Sequence, residues 1–237
     1  MRNIFVIIPA YNEEEAIGKV IKDIPDIVTE VVVTDNGSDD NTIQTAKNAG
    51  ATVLTENEKG YGAACLKAME YIYSKNPDTE DIIVFLDGDY SDFPVEMFDL
   101  INPIVNNNYE LVIGSRILGK KFGKAESGSL LPQAIFGNWL SVFLIRLFWN
   151  YEFTDLGPFR AIKVGALRKI NMKDRNFGWT VEMQIKAAKL KMKCLEVPVS
   201  YRKRIGKSKV TGTISGTFKA GIIILYTIFH NALKKIK

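Results

Sequence analysis

Ile82-Ile83-Val84-Phe85-Leu86-Asp87-Gly88-Asp89 is the stretch on which the fold turns. Five apolar residues in a row, three of them β-branched, read as a buried strand. The run ends in two carboxylates one residue apart. On an extended backbone, side chains at i and i+2 point to the same side. Two hard oxygen ligands on one side suit Mg²⁺ or Mn²⁺, an ion that keeps several waters and shares its remaining positions with a diphosphate. Asp and Gly are also ordinary turn residues, so the meaning of the motif depends on what surrounds it.

Working outward, the same alternation recurs. Ile4 to Ile8 is a β-branched apolar run, followed by Pro9-Ala10-Tyr11-Asn12 and three glutamates, Glu13 to Glu15. The acidic residues suit the start of a helix, and for Glu14 and Glu15 that is the preferred reading. Glu30 to Thr34 is a second strand closed by Asp35-Asn36-Gly37-Ser38. A helix to Ala49, a short strand from Ala51, a glycine loop (Lys59-Gly60-Tyr61-Gly62) and a helix to Ser74 lead back to the 82–86 run. A helix from Pro94 and a strand from Tyr109 to Ser115 follow. Strand and helix alternating over half the chain predict an α/β sheet with mainly parallel strands. Ligands on such sheets bind beyond the carboxyl ends of the strands. Pro9-Tyr11, Asp35 and Asp87-Asp89 all fall at those ends, which lifts Asp87-Gly88-Asp89 above an ordinary turn.

The second half is less regular. Residues 114–128 are rich in Gly, Lys and Ser and read as a mobile loop. Leu130 to Trp149 is apolar and aromatic, Trp179 to Leu190 reads as a helix, and Leu195 to Tyr201 as a strand. Arg202 to Lys209 holds five cations in eight residues. Phe218 to Leu233 is an apolar helix running into Lys234-Lys235-Ile236-Lys237. Two units are expected, 1–215 as the catalytic domain and 216–237 as a C-terminal apolar and basic helix.

Composition narrows the function. With 237 residues, 46% hydrophobic and 24% charged, the chain buries a sizeable core. A net charge of +4 does not suggest nucleic acid but suits anionic ligands or an anionic membrane surface. Cys65 and Cys194 fit no metal spacing and are expected as free thiols of a reducing compartment. The single histidine, His230, is remote in sequence from every motif, so a Ser-His-Asp mechanism has little support. Pro9 stops the first apolar run after five residues, so it does not read as a signal peptide. No uninterrupted apolar segment reaches ~18 residues.

Several segments together resemble one family. Ile8-Pro9-Ala10-Tyr11-Asn12-Glu13, Val33-Thr34-Asp35-Asn36-Gly37-Ser38 and Asp87-Gly88-Asp89 resemble the first, second and Asp-x-Asp motifs of family 2 glycosyltransferases. Val112-Ile113-Gly114-Ser115-Arg116, Asp155 to Arg160 and the basic segment resemble the dolichyl-phosphate mannosyltransferase-like branch, and the similarity covers nearly the whole chain. The resemblance implies a GT-A (Rossmann-like) fold, a UDP- or GDP-linked sugar donor and Mg²⁺ or Mn²⁺. It places Pro9, Tyr11, Glu13, Lys59, Asp87 and Gly88 at the nucleotide sugar, Asp35 on the base, and Asp89 with Asp87 on the metal. A carboxylate only accepts hydrogen bonds, so Asp35 is able to read a ring N–H of uracil or guanine. Arg116 has the fork that suits phosphate. The resemblance makes Arg202, Arg204 and Lys209 phosphate contacts of a closing loop; the alternative is a solvated charge run. Asp155 and Glu182 are the candidates for acid–base chemistry. The alternatives are a structural ion pair of Asp155 with Arg160 and a place on a helix surface for Glu182.

The closest branch implies a polyprenyl or dolichyl phosphate acceptor, inversion at the anomeric carbon, and a peripheral protein at the cytoplasmic face of a membrane. The apolar helices suit a membrane interface or a homo-oligomer. There are departures: Ser91 stands where the branch usually has Gln, and Gln133 where it tends to have a cation, which leaves the acceptor open to a soluble or cell-envelope glycan. Two other classes are kept. A nucleotidyltransferase would show a Gly-rich basic loop after the first strand, which Pro9-Ala10-Tyr11-Asn12 is not. A non-catalytic membrane adaptor would have no use for two intact aspartates.

Overall fold

The apolar runs become strands of one sheet. The computed structural model describes residues 2–126, 128–206 and 214–233. Within them lie β1 (Ile4–Ala10), β2 (Glu30–Asp35), β3 (Thr52–Thr55), β4 (Ile82–Phe85), β5 (Leu111–Ser115), β6 (Arg160–Lys163) and β7 (Cys194–Pro198). Their spatial order is β3-β2-β1-β4-β6-β5-β7. β6 runs antiparallel to both neighbours, and the other pairings are parallel. The sheet is mainly parallel, as the alternation predicts, and the reversed β6 makes it mixed, as the GT-A resemblance implies.

Helices cover both faces, which is why the central strands β1 and β4 are apolar throughout rather than alternating. On one face α1 (Ile17–Lys22), α2 (Thr42–Asn48) and α4 (Met97–Asn107) pack on Val6, Ile8, Val84 and Leu86. On the other, α3 (Tyr61–Ser74) and α8 (Trp179–Lys189) pack on Phe5, Ile7, Ile83 and Phe85. Each such side chain contributes about 1.5–3 kcal/mol when fully buried, so the central strands are held from two sides.

α5 (Arg116–Lys121), α6 (Pro132–Trp149), α7 (Val164–Ile170) and α9 (Ile214–Leu233) complete the chain. Two of these differ from expectation. Residues 116–121 lie inside the stretch expected to be a loop, yet form a helix capped by the Ser115 hydroxyl, which accepts from the Leu118 amide at 3.0 Å. Gly119 there abuts the Val199 backbone, where a Cβ would sit 1.8 Å from the carbonyl oxygen. Its glycine serves close packing. α7 carried too short a period to be read as a helix.

β6 decides where the second half meets the first. Because it is reversed, its first residue, Arg160, pairs with Phe85 and Ile113 near the carboxyl ends of β4 and β5. The turn before it, residues 155–159, therefore joins the rim that carries Asp35 and Asp87. α9 packs against α6 and α8. Both α6 and α9 leave apolar stripes in solvent: Phe136, Trp139, Phe143 and Leu147 on one, Ile222, Tyr226, Phe229 and Leu233 on the other. Among the described residues no helix is long and apolar enough to cross a membrane.

Candidate active site

Asp35 ends β2 with its carboxylate turned back on its own chain. One oxygen accepts from the amides of Gly37 (3.0 Å) and Ser38 (3.1 Å). The other is buried and has no hydrogen-bond partner among the described residues. An unmatched buried acceptor carries a desolvation cost of about 1–3 kcal/mol, which a ligand N–H would relieve. Asn36 ties down the neighbouring loop, donating to the carbonyls of Glu56 and Glu58 and accepting from the Gly60 amide. The Lys59 ammonium donates to the carbonyls of Asn36 and Gly37, both at 3.0 Å, and lies 4.5 Å from the centre of the Tyr11 ring.

The glycines of that loop serve packing. A Cβ on Gly60 would sit 2.0 Å from the Arg175 carbonyl oxygen, and one on Gly62 2.1 Å from that of Asp174. The start of α3 is thereby pressed onto residues 174–176. That brings the Tyr61 hydroxyl to Asp87, where it donates to Oδ1 at 3.1 Å.

Asp87 and Asp89 leave β4 as expected, and they meet more carboxylates than the sequence suggested. Burial and then the charge of Asp89 push the Asp87 carboxyl up to about 6. Ser91 donates to one Asp89 oxygen through its amide (2.9 Å) and its hydroxyl (2.5 Å). The other Asp89 oxygen lies 3.0 Å from an Arg204 nitrogen. Asp92 is 2% exposed and both of its carboxylate oxygens lack a partner among the described residues. Burial and then Asp87 and Asp89 hold it well above the usual carboxylate range.

Asp155, fully buried, accepts three hydrogen bonds from Arg116, each 2.8 Å: from the backbone amide, from Nε and from Nη2. Burial works against the Arg116 charge, but Asp155 overrides it and holds the guanidinium above its ordinary range. The pairing with Arg160 does not form. Arg160 instead donates to the backbone carbonyls of Leu156, Gly157 and Thr180. Glu196 supports the same turn, accepting from the amides of Thr154 (2.7 Å) and Asp155 (3.0 Å).

Two cavities flank Asp87. The first, about 300 Å³, is lined by Pro9, Tyr11, Glu13, Lys59, Gly88, Asp89 and Arg204. The second, about 290 Å³, is lined by Arg116, Gln133 and Asn138 at its polar side and by residues of α6 and α9, among them Ala134, Gly137, Ala220 and Ile224. Tyr61, Asp87 and Phe177 line both.

The structure thus brings together Pro9, Tyr11, Glu13, Lys59, Asp87, Gly88, Asp89 and Arg204, with Arg116 on the far side of Asp87. It does not bring Glu182 there. That carboxylate accepts from the backbone amides of Lys173 and Asp174 and pairs with Lys186 at 2.7 Å, so it holds the 173–178 loop. Arg202 is also engaged elsewhere: its guanidinium lies over Tyr90 (3.4 Å to the ring centre) and Phe93 and donates to the carbonyls of Tyr90 and Asp92. Lys209 and the lysines at 234–237 lie outside the described residues. Sequence reasoning passed over Asp92, Tyr61 and Phe177. A third acid five residues after Asp87 was the signal available for Asp92, and Tyr61 and Phe177 had none.

The carboxylates suit a cation. Among the described residues no three Asp, Glu, His or Cys converge as a cage, so a metal ion here would draw on Asp89 and Asp87 and complete its shell from ligand and water. Burial first and neighbouring carboxylates second raise both Asp87 and Asp92, and the Asp92 oxygens are unpaired among the described residues, a setting in which a nearby cation is favoured.

A sheet of this topology with paired carboxylates at its switch point has the architecture of the GT-A class. Glucosyl-3-phosphoglycerate synthase from Mycobacterium tuberculosis, solved with Mn²⁺, uridine diphosphate and phosphoglyceric acid, has the same fold: TM-score 0.77 at 20% identity, over 100% of this chain and 80% of that one. The chain belongs to glycosyltransferase family 2, whose model, described as "Glycosyl transferase family 2", it matches over residues 5–171. A dolichyl-phosphate hexose transferase of Haloferax volcanii is 32% identical over 209 residues, 86% of this chain and 85% of that protein. An undecaprenyl-phosphate mannosyltransferase of Micrococcus luteus is 28% identical over 228 residues, 90% and 89% of the two.

Proposed function

We propose that this enzyme transfers a hexose, with inversion, from a UDP- or GDP-linked donor to a polyprenyl or dolichyl phosphate. The observation that carries the reading is the wall shared by the two cavities. One cavity ends at the two metal-motif aspartates and the other holds Arg116 among apolar residues, and Asp87 stands between them. A donor sugar at that junction meets an acceptor phosphate from the opposite side. The names of the two relatives point to the same acceptor class.

In this reading Asp35 accepts from the base through its unpaired oxygen. Pro9, Tyr11, Glu13, Lys59 and Gly88 shape the nucleotide cavity, with Lys59 holding Tyr11 in place. Asp89, seconded by Asp87, takes Mg²⁺ or Mn²⁺, which when bound neutralises charge on the departing diphosphate. Arg116 receives the acceptor phosphate, and Asp155 orients Arg116 rather than removing a proton. An acceptor phosphate is already ionised near neutral pH and needs little general-base help, which agrees with an Asp155 carboxylate fully engaged by arginine. Arg204 and Lys209 add cationic contacts to phosphate.

The 1–215 unit carries the chemistry, and the helix beyond it, with α6, places the acceptor cavity at a membrane. The exposed stripes of α6 and α9 belong to the helices that line that cavity, and an isoprenoid chain leaving it would run between them into lipid. The protein then sits peripherally on the cytoplasmic face, where nucleotide sugars are available. Isothermal titration of UDP and GDP, with and without Mn²⁺, tests the donor half. One nucleotide is expected to bind in a metal-dependent way and to lose that dependence in Asp89→Asn; no metal-dependent binding of either overturns the reading.

A further inference from the structure

The chain brings its own cation to Asp89. One guanidinium nitrogen of Arg204 lies 3.0 Å from Asp89 Oδ2, and another donates to Glu13 Oε1 at 2.6 Å. The other Asp89 oxygen is engaged by Ser91, so Oδ2 is the one a metal ion would approach. The guanidinium is held there by its own backbone. The Ile205 amide donates to the Asp89 carbonyl and the Arg202 amide to the Ser91 carbonyl, both at 3.0 Å. Residues 202–205 are therefore fastened along the metal-motif loop. Arg204 Nε is buried with no partner among the described residues, and an incoming anion is the natural acceptor for it.

A divalent ion bonded to Oδ2 at about 2.1 Å would lie within ~5 Å of the guanidinium, close enough for strong repulsion in a partly buried site. The two cations therefore compete for Asp89 in this arrangement. We propose that Arg204 is an internal competitor of the metal ion: it neutralises Asp89 and Glu13 until metal and nucleotide diphosphate arrive together, and it then turns from the carboxylates to the diphosphate. The diphosphate supplies the acceptor that Nε lacks and the negative charge that draws the guanidinium away from Asp89. Metal alone binds poorly because it must displace a paired arginine; metal with nucleotide binds well because the arginine gains a new partner. The inference rests on the assignment of Asp89 to the metal.

The test is Mn²⁺ titration of the full chain followed by electron paramagnetic resonance, without nucleotide, on wild type, Arg204→Gln, Arg204→Met and Arg204→Lys, each with and without Asp89→Asn. Both neutral variants are expected to bind Mn²⁺ at least about tenfold more tightly than wild type, a difference of ~1.4 kcal/mol. The lysine variant, which keeps the charge, is expected to stay closer to wild type. Adding UDP or GDP should tighten Mn²⁺ binding strongly in wild type and weakly in the neutral variants. Mn²⁺ affinity in both neutral variants equal to or below wild type, with binding still dependent on Asp89, overturns this proposal alone. Binding that ignores Asp89→Asn in every background overturns the metal assignment and the proposal with it.

Discussion

Asp155→Asn separates the two roles open to Asp155, because the structure assigns a size to the loss. The wild-type carboxylate accepts three 2.8 Å hydrogen bonds from Arg116 in a fully buried position. Asparagine keeps one acceptor oxygen and turns an NH₂ group toward the guanidinium, and the negative charge is gone. Breaking a buried pair by removing one partner costs about 3–5 kcal/mol. For a chain of this length each kcal/mol moves the melting temperature by about 2–4 °C, so a fall of about 6–20 °C follows. Thermal unfolding measures it. Steady-state kinetics supply the second readout: with Arg116 no longer oriented, kcat/KM for the acceptor should fall more than KM for the donor changes, and by the same factor across the pH range. A proton-abstracting Asp155 would instead impose an acidic limb on the wild-type profile that the variant lacks. A melting temperature within about 1 °C of wild type, or a loss confined to one side of the pH profile, refutes the positioning role.

Other expectations follow from single contacts. Gly62→Ala forces a Cβ to within 2.1 Å of the Asp174 carbonyl oxygen, so a stability loss of about 1–3 kcal/mol and weaker nucleotide binding are expected in denaturant titration and calorimetry. Glu196 is raised from 4.5 to about 7, by burial first. A carboxyl raised on folding contributes stability that is complete below its unfolded value and lost as pH rises through the folded one. Wild type should therefore lose up to about 3 kcal/mol between pH 4.5 and pH 8 from this group, and Glu196→Gln should flatten that slope; an unchanged slope in unfolding experiments counts against it. Trp139→Ser with Phe143→Ser should reduce sedimentation with anionic vesicles while leaving nucleotide binding intact. If that variant binds vesicles normally but changes its mass in light scattering, the stripe is a contact between copies of the chain.

The parts legible in the sequence are those where local pattern and tertiary demand coincide. β1 and β4 are buried on both faces, so their residues are apolar without interruption, β2 has an apolar centre at Val31 to Val33, and the polar residues that end these strands fall on one rim by the rule for parallel sheets. Asp35 and the two metal-motif aspartates were reachable in that way. Asp92 was not, because its isolation depends on what packs over it. Asp155 stood out in the sequence as a candidate, but its partner did not: Arg116 and Arg160 are both near in space, and only the reversal of β6 and the turn before it decide between them. Glu182 looked like an acid at a helix start, and its carboxylate holds the loop next to it. Arg202 and Arg204 stand two residues apart in one basic run, yet one is stacked on Tyr90 and Phe93 while the other pairs with Glu13 and Asp89. Charge alone does not separate them.

The most direct test of the central claim is a product assay. Wild-type protein is incubated with Mn²⁺, a panel of UDP- and GDP-hexoses and a short polyprenyl phosphate, and the lipid fraction is examined by mass spectrometry, with Asp89→Asn in parallel. One donor should yield a polyprenyl phosphate heavier by one hexosyl unit, in a reaction that needs both the divalent ion and Asp89. Hexose transfer that proceeds equally well in Asp89→Asn, or transfer only to a soluble glycan with the lipid phosphate left unchanged, would contradict the account.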